Sequence, residues 1–109
     1  MAPKFRRLYI PVLSMNPIAW HVYFEGIVQH VHFRASIKRI AAELGVHGWA
    51  QNDMSGCSVV AHLEGEHVQT LIESVISANT LSNAIPFIAR VELARHEGFP
   101  TFTILPTPT

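Results

Sequence analysis

Residues 19–44 read AWHVYFEGIVQHVHFRASIKRIAAEL, and the hydrophobic repeat changes length inside this stretch. Trp20, Val22 and Phe24 alternate with His21, Tyr23 and Glu25, the period of two expected of a strand with one buried face, and the alternation stops at Gly26. From Phe33 the spacing lengthens. Phe33, Ile37, Ile40, Ala41 and Leu44 recur at helical intervals, with Arg34, Lys38, Arg39 and Glu43 left mainly for the polar side. The pattern predicts an amphipathic helix of about three turns, with Gly45 as its C-terminal stop.

Working outward, His47 to Asn52 reads as a short strand, Asp53-Met54-Ser55-Gly56 as a polar turn, and Cys57 to about Leu63 as a longer strand, which together make a hairpin. Glu64 and Glu66 precede Val68, Leu71, Ile72 and Val75, predicting a second helix with acidic residues at its favourable end. Residues 77–86 read as a loop. Phe87, Ala89, Val91 and Leu93 then alternate with Ile88, Arg90 and Glu92 as a further strand, and Phe102 to Leu105 has the composition of a short edge strand before the tail at 106–109. The order strand, helix, strand, strand, helix, strand predicts an α+β fold of ferredoxin-like type, an antiparallel sheet with two helices on one face.

The folded domain is expected over residues 18–105. Residues 1–17 show no sustained period and contain Pro3, Pro11 and Pro17, so a flexible or loosely packed extension is expected, and the same prolines break the continuous amphipathic helix of a mitochondrial presequence. With 109 residues, 49% of them hydrophobic, the chain can bury one core and not two.

The composition also limits function. Formal net charge is zero with the histidines neutral, so no overall field draws the protein to nucleic acid or an anionic membrane, and any anion site must be local. No apolar run approaches the roughly 20 residues of a membrane span. One cysteine, Cys57, excludes an internal disulfide and suits a reducing compartment. A cytoplasmic monomer that takes a small molecule, with neither nucleic acid nor membrane as a partner, is the expectation. Seven histidines raise the question of a metal, but the nearest pair, His30 and His32, has no third ligand at zinc-site spacing, so neither a metal nor a cofactor is expected. His21 and His62 alternate with apolar strand positions and read as residues of the less buried sheet face; Trp49 reads as a packing residue.

The loop before the first helix, GIVQHVHFR at 26–34, carries the chemistry. A helix start normally has Ser, Thr, Asp or Asn accepting from its unpaired amides. Here His30, Val31 and His32 stand instead, leaving donors and a favourable dipole for an anion. Arg34 in the first turn opposes that dipole at about 0.3–1 kcal/mol, a cost that disappears when an anion lies between guanidinium and turn. Its planar fork can hold two phosphate oxygens at once. By themselves these residues also fit a surface arginine with water completing the bonds. The stretch is not a nucleotide P-loop, which needs a second glycine followed by Lys and Ser or Thr.

A second segment, GWAQN at 48–52, shifts the balance between these readings. Together the two resemble the acylphosphatase family, whose pattern is G-x-V-Q-G-V-x-F-R, a helix, then G-W-V-x-N. Gly26, Val28, Gln29, Val31, Phe33 and Arg34 match the first motif, and Gly48, Trp49 and Asn52 the second. The resemblance runs from about residue 19 to 105. It implies a ferredoxin-like fold and metal-independent hydrolysis of the carboxyl-phosphate bond of acyl phosphates, by direct attack of water on phosphorus. It also implies a phosphate-binding loop of Gln29, His30, Val31, His32, Phe33 and Arg34, with Arg34 on the phosphate and Asn52 on the water. His30 stands where the family has glycine. The residues also fit a catalytically weak or inactive domain that keeps the anion cradle for a phosphorylated ligand or a protein partner. An RNA-binding domain of the same fold would need an aromatic and basic run on its central strands, which this chain lacks.

Overall fold

The computed structural model describes residues 18–26, 32–54, 58–79 and 86–108. The extension read over 1–17, the loop residues Gln29, His30 and Val31, and Cys57 lie outside the described residues. The elements are β1 (Ile18–Glu25), α1 (Phe33–Leu44), β2 (His47–Asn52), β3 (Ser58–Glu64), α2 (Val68–Ala78), β4 (Phe87–Arg95) and β5 (Phe102–Ile104). This is the expected βαββαβ order with the short edge strand added. α2 runs one turn-fragment into the stretch read as loop, ending at Ala78.

The strands lie in the order β4-β1-β3-β2-β5. β1 pairs antiparallel with β3 and β4, and β2 antiparallel with β3. β5 runs parallel to β2, from Gly48 opposite Phe102 to Ala50 opposite Ile104, so the antiparallel sheet becomes mixed at that edge. The cause is the route of the chain. It leaves β4 at one edge, passes over the helix-free face through residues 96–101, and enters β5 at the opposite edge.

Register explains the core. Trp20, Val22 and Phe24 stand opposite Leu63, Ala61 and Val59, so their side chains share one face of the sheet. That face packs on Phe33, Ile37, Ile40 and Ala41 of α1 and Val68, Leu71, Ile72 and Val75 of α2. Full burial of each large aliphatic or aromatic side chain contributes about 1.5–3 kcal/mol. Phe24 and Phe33 meet edge to face at 5.1 Å, fixing the start of α1 over the end of β1. At its other end α1 stops at Gly45, in the left-handed region (φ 69°), whose N–H bonds Ala41 O.

Two details depart from the periodicity. The β1–β4 pairing shifts between Tyr23 and Phe24, so Arg90 opposes Tyr23 while Ile88 opposes Phe24, and Ala89 is the extra residue of a bulge. The alternation is therefore broken along β4: Ile88 and Val91 pack against the core, and Phe87 and Leu93 are exposed. Glu64, expected near the helix start, is instead the last residue of β3. It is buried and accepts from the backbone N–H groups of Glu97 (2.7 Å), Gly98 (3.2 Å) and Phe99 (3.1 Å). No acidic residue lies in the first turn of α2. A carboxylate surrounded by three amides gains more from them than from the half-charge of a helix end. No helix among the described residues is long and apolar enough to cross a membrane.

Candidate active site

The candidate residues lie where α1 begins beside the C-terminal end of β2. His32 is the N-cap of α1, and its backbone is left-handed (φ 56°, ψ 33°) with no side-chain cap bond. It is the one non-glycine residue with positive φ among the described residues. A histidine held there costs on the order of 1 kcal/mol, a strain of the kind concentrated at binding turns. The first intrahelical donor is Ser36, bonding His32 O at 3.1 Å, so the amides of Phe33, Arg34 and Ala35 lie outside the helical ladder. The first turn contains no acidic residue.

Arg34 is half-buried, and its Nη1 donates to Leu105 O at 3.2 Å. The guanidinium carries four further N–H donors. The side chain of Phe33, next to it, faces the core, so only its backbone amide could meet a ligand.

Asn52 ends β2 on the same sheet face as Gly48 and Ala50, the face toward the helices. It is 7% exposed. Its Nδ2 donates to Thr107 Oγ1 at 3.0 Å, while Oδ1 is buried and accepts no hydrogen bond among the described residues. Adjacent Gln51 donates from Nε2 to Pro106 O at 2.8 Å. Arg34 and Asn52 are thus brought to one short segment, residues 105–107, whose bonded atoms are two residues apart and so on the order of 7 Å along the chain. The segment is tied to the sheet by Leu105 N–H bonding Ala50 O at 2.9 Å.

The periodicity did not single out residues 105–107. Their partners are 55 and 71 positions away, and a Pro-Thr-Pro tail carries no hydrophobic repeat that would place it.

On the opposite sheet face Trp49 stacks on His62 at 5.7 Å with ring planes 14° apart. Trp49 therefore packs, as expected. His62 departs from expectation, because Phe99 closes over it and leaves it fully buried. Among the described residues no group of three or more His, Cys, Asp or Glu is arranged to hold a metal.

The family model for acylphosphatase matches residues 20–104. The chain belongs to the acylphosphatase family. The acylphosphatase of Pyrobaculum islandicum is 37% identical over 99 residues, covering 85% of this chain and 99% of its own. In structure, the acylphosphatase of Bacillus subtilis superposes with a TM-score of 0.62 at 23% identity, over 81% of this chain and 98% of that one, a likeness of fold. The HypF protein of T. kodakarensis superposes with a TM-score of 0.67 at 26% identity, over 84% of this chain but only 12% of that longer one. The acylphosphatase match ends at residue 104, so Leu105, Pro106 and Thr107, which touch Arg34, Gln51 and Asn52, lie beyond it.

Proposed function

We propose that the protein hydrolyses acyl phosphates to a carboxylate and inorganic phosphate without a metal, by direct attack of water on phosphorus. Arg34 and the amides at the start of α1 hold the phosphoryl oxygens, within the loop of Gln29, His30, Val31, His32, Phe33 and Arg34. Asn52 orients the water. The water oxygen forms a new bond to phosphorus as the bond from phosphorus to the bridging carboxyl oxygen breaks. The carboxylate departs with that electron pair, and the proton given up by water passes to phosphate or solvent.

The chemistry demands little more than these groups. A carboxylate is a stable anion at neutral pH, with an acid pKa near 4, so its departure needs no general acid. What remains is to spread phosphoryl charge over fixed donors and to place the nucleophile in line. A guanidinium and helix-end amides do the first; a carboxamide, which can accept from water through oxygen and donate through nitrogen, suits the second.

The observation that carries this reading is the meeting of the Arg34 and Asn52 side chains at one segment beside an uncapped helix start, with Asn52 Oδ1 buried and unbonded among the described residues. A buried acceptor left so costs about 1–3 kcal/mol, which a bound water donating to it would offset.

The test is phosphate release from benzoyl phosphate by the wild type, Arg34→Ala and Asn52→Ala, with circular dichroism confirming that each is folded. Each substitution is expected to lower kcat/KM by about 100-fold or more. A wild type no faster than Arg34→Ala overturns the reading.

A further inference from the structure

Asn52 is useful as a water-orienting group only if its carboxamide is held in one orientation. Its side chain ends at a single torsion with two broad wells, so two positions of the amide plane compete unless a neighbour selects one. We infer that the Thr107 hydroxyl is a positioning residue for the acylphosphatase reaction, holding Asn52 by its nitrogen so that Oδ1 is presented to the attacking water. The inference rests on the assignment of Asn52 proposed above.

Three observations support it. The Asn52 Nδ2 to Thr107 Oγ1 bond, at 3.0 Å, is the side-chain bond of Asn52 among the described residues, and it leaves the acceptor oxygen buried and unbonded. Thr107 is itself held in register: Gln51 bonds Pro106 O, Arg34 bonds Leu105 O, and Leu105 N–H continues the β5 pairing by bonding Ala50 O. Pro106 on one side and Pro108 on the other each fix one backbone torsion near −65°, which reduces the freedom of the threonine between them. The hydroxyl thus reaches Asn52 from a backbone constrained on both flanks.

The segment has a second consequence. Because Arg34 spends one donor on Leu105 O, the phosphate-holding cation and the water-orienting amide are tied to the same strap. The two side chains are thus bonded at residues 105 and 107 of one segment.

The test measures kcat and KM for benzoyl phosphate in Thr107→Val, Thr107→Ser and Asn52→Ala, and in Asn52→Ala combined with Thr107→Val. Valine keeps the shape and removes the hydroxyl; serine keeps the hydroxyl and removes the methyl. Thr107→Val is expected to lower kcat about 3- to 10-fold with KM changed less than about 2-fold, the size of one lost hydrogen bond to an orienting group. Thr107→Ser should restore kcat to within about 2-fold, and Thr107→Val should add nothing in the Asn52→Ala background, since the group it orients is gone. A Thr107→Val protein with wild-type kcat overturns the inference while Asn52→Ala remains impaired. A serine variant as slow as the valine one, or a valine effect that persists without the Asn52 carboxamide, also overturns it. Wild-type activity in Asn52→Ala would instead remove the reading on which the inference rests. Thr107 is exposed, and a urea unfolding midpoint for each variant separates a kinetic effect from a folding defect.

Discussion

His62 Nε2 lies 2.7 Å from Glu64 Oε2, and both side chains are buried on the sheet face away from the helices. The carboxylate accepts, so Nε2 carries the proton and His62 Nδ1 is left to accept from His21 Nε2 at 2.9 Å. The same Oε2 also accepts from the Glu97 amide, and Oε1 accepts from the amides of Gly98 and Phe99. Glu64 therefore helps fasten the connection from β4 to β5 to the sheet, beside the bonds of His47 to Phe99 O and of Gly48 N–H to Thr101 O, and β5 leads directly into the segment that meets Arg34 and Asn52.

Glu64→Gln replaces one accepting oxygen with an NH2 group that faces other donors. Hydrogen bonds to charged groups contribute about 1.5–3 kcal/mol, and an unmatched buried donor adds to the loss. The expected destabilisation is about 2–4 kcal/mol by urea unfolding. Amide hydrogen exchange at residues 97–99 should also be faster. Unchanged protection of those three amides would show that the carboxylate does not fasten the connection.

The same cluster makes stability fall in acid in two stages. The His21 pKa is lowered from 6.5, first by burial and then by its electrostatic interaction with neighbouring His62, with Glu92 and Glu97 opposing. Burial alone would raise the Glu64 carboxyl from 4.5, but the Glu97 amide, His62, the Phe99 amide and His96 together outweigh it and lower it. In both groups the folded pKa lies below the unfolded one, so the unfolded chain binds protons first. Stability present at neutral pH therefore falls as pH drops below about 6.5 for His21, and falls again below about 4.5 for Glu64. Urea midpoints across pH 3.5–8, an order-of-magnitude window bracketing both groups, should show both declines. His21→Gln is expected to flatten the upper one and leave the lower; a slope above about pH 5 that is the same in both proteins would contradict this assignment.

Gly48 has φ 136°, and a Cβ there would sit 1.8 Å from the backbone oxygen of His62. The obstructing atom belongs to the neighbouring strand β3, so relief requires β2 and β3 to separate. Gly48→Ala is expected to destabilise by about 3–5 kcal/mol, beyond ordinary overpacking, and to reduce activity through the displaced Asn52 four residues on. A thermal midpoint within a few degrees of wild type would disprove the close approach as a constraint.

The elements of this protein were legible in its sequence because each depends on neighbours a few positions away. The period of two across Trp20, Val22 and Phe24 and the helical spacing from Phe33 to Leu44 follow from which residues must share a buried face, and that is local arithmetic. Two short motifs at the proper separation nominate Arg34 and Asn52, and the structure brings both side chains to residues 105–107. The parallel pairing of β5, the bulge at Ala89 that turns Ile88 inward, the burial of His62 under Phe99, and the bond from Asn52 to Thr107 were decided only by tertiary structure. Each joins residues between 33 and 71 positions apart or depends on a strand register, and no local repeat encodes a hydrogen bond to a backbone oxygen or a lone hydroxyl at such a distance.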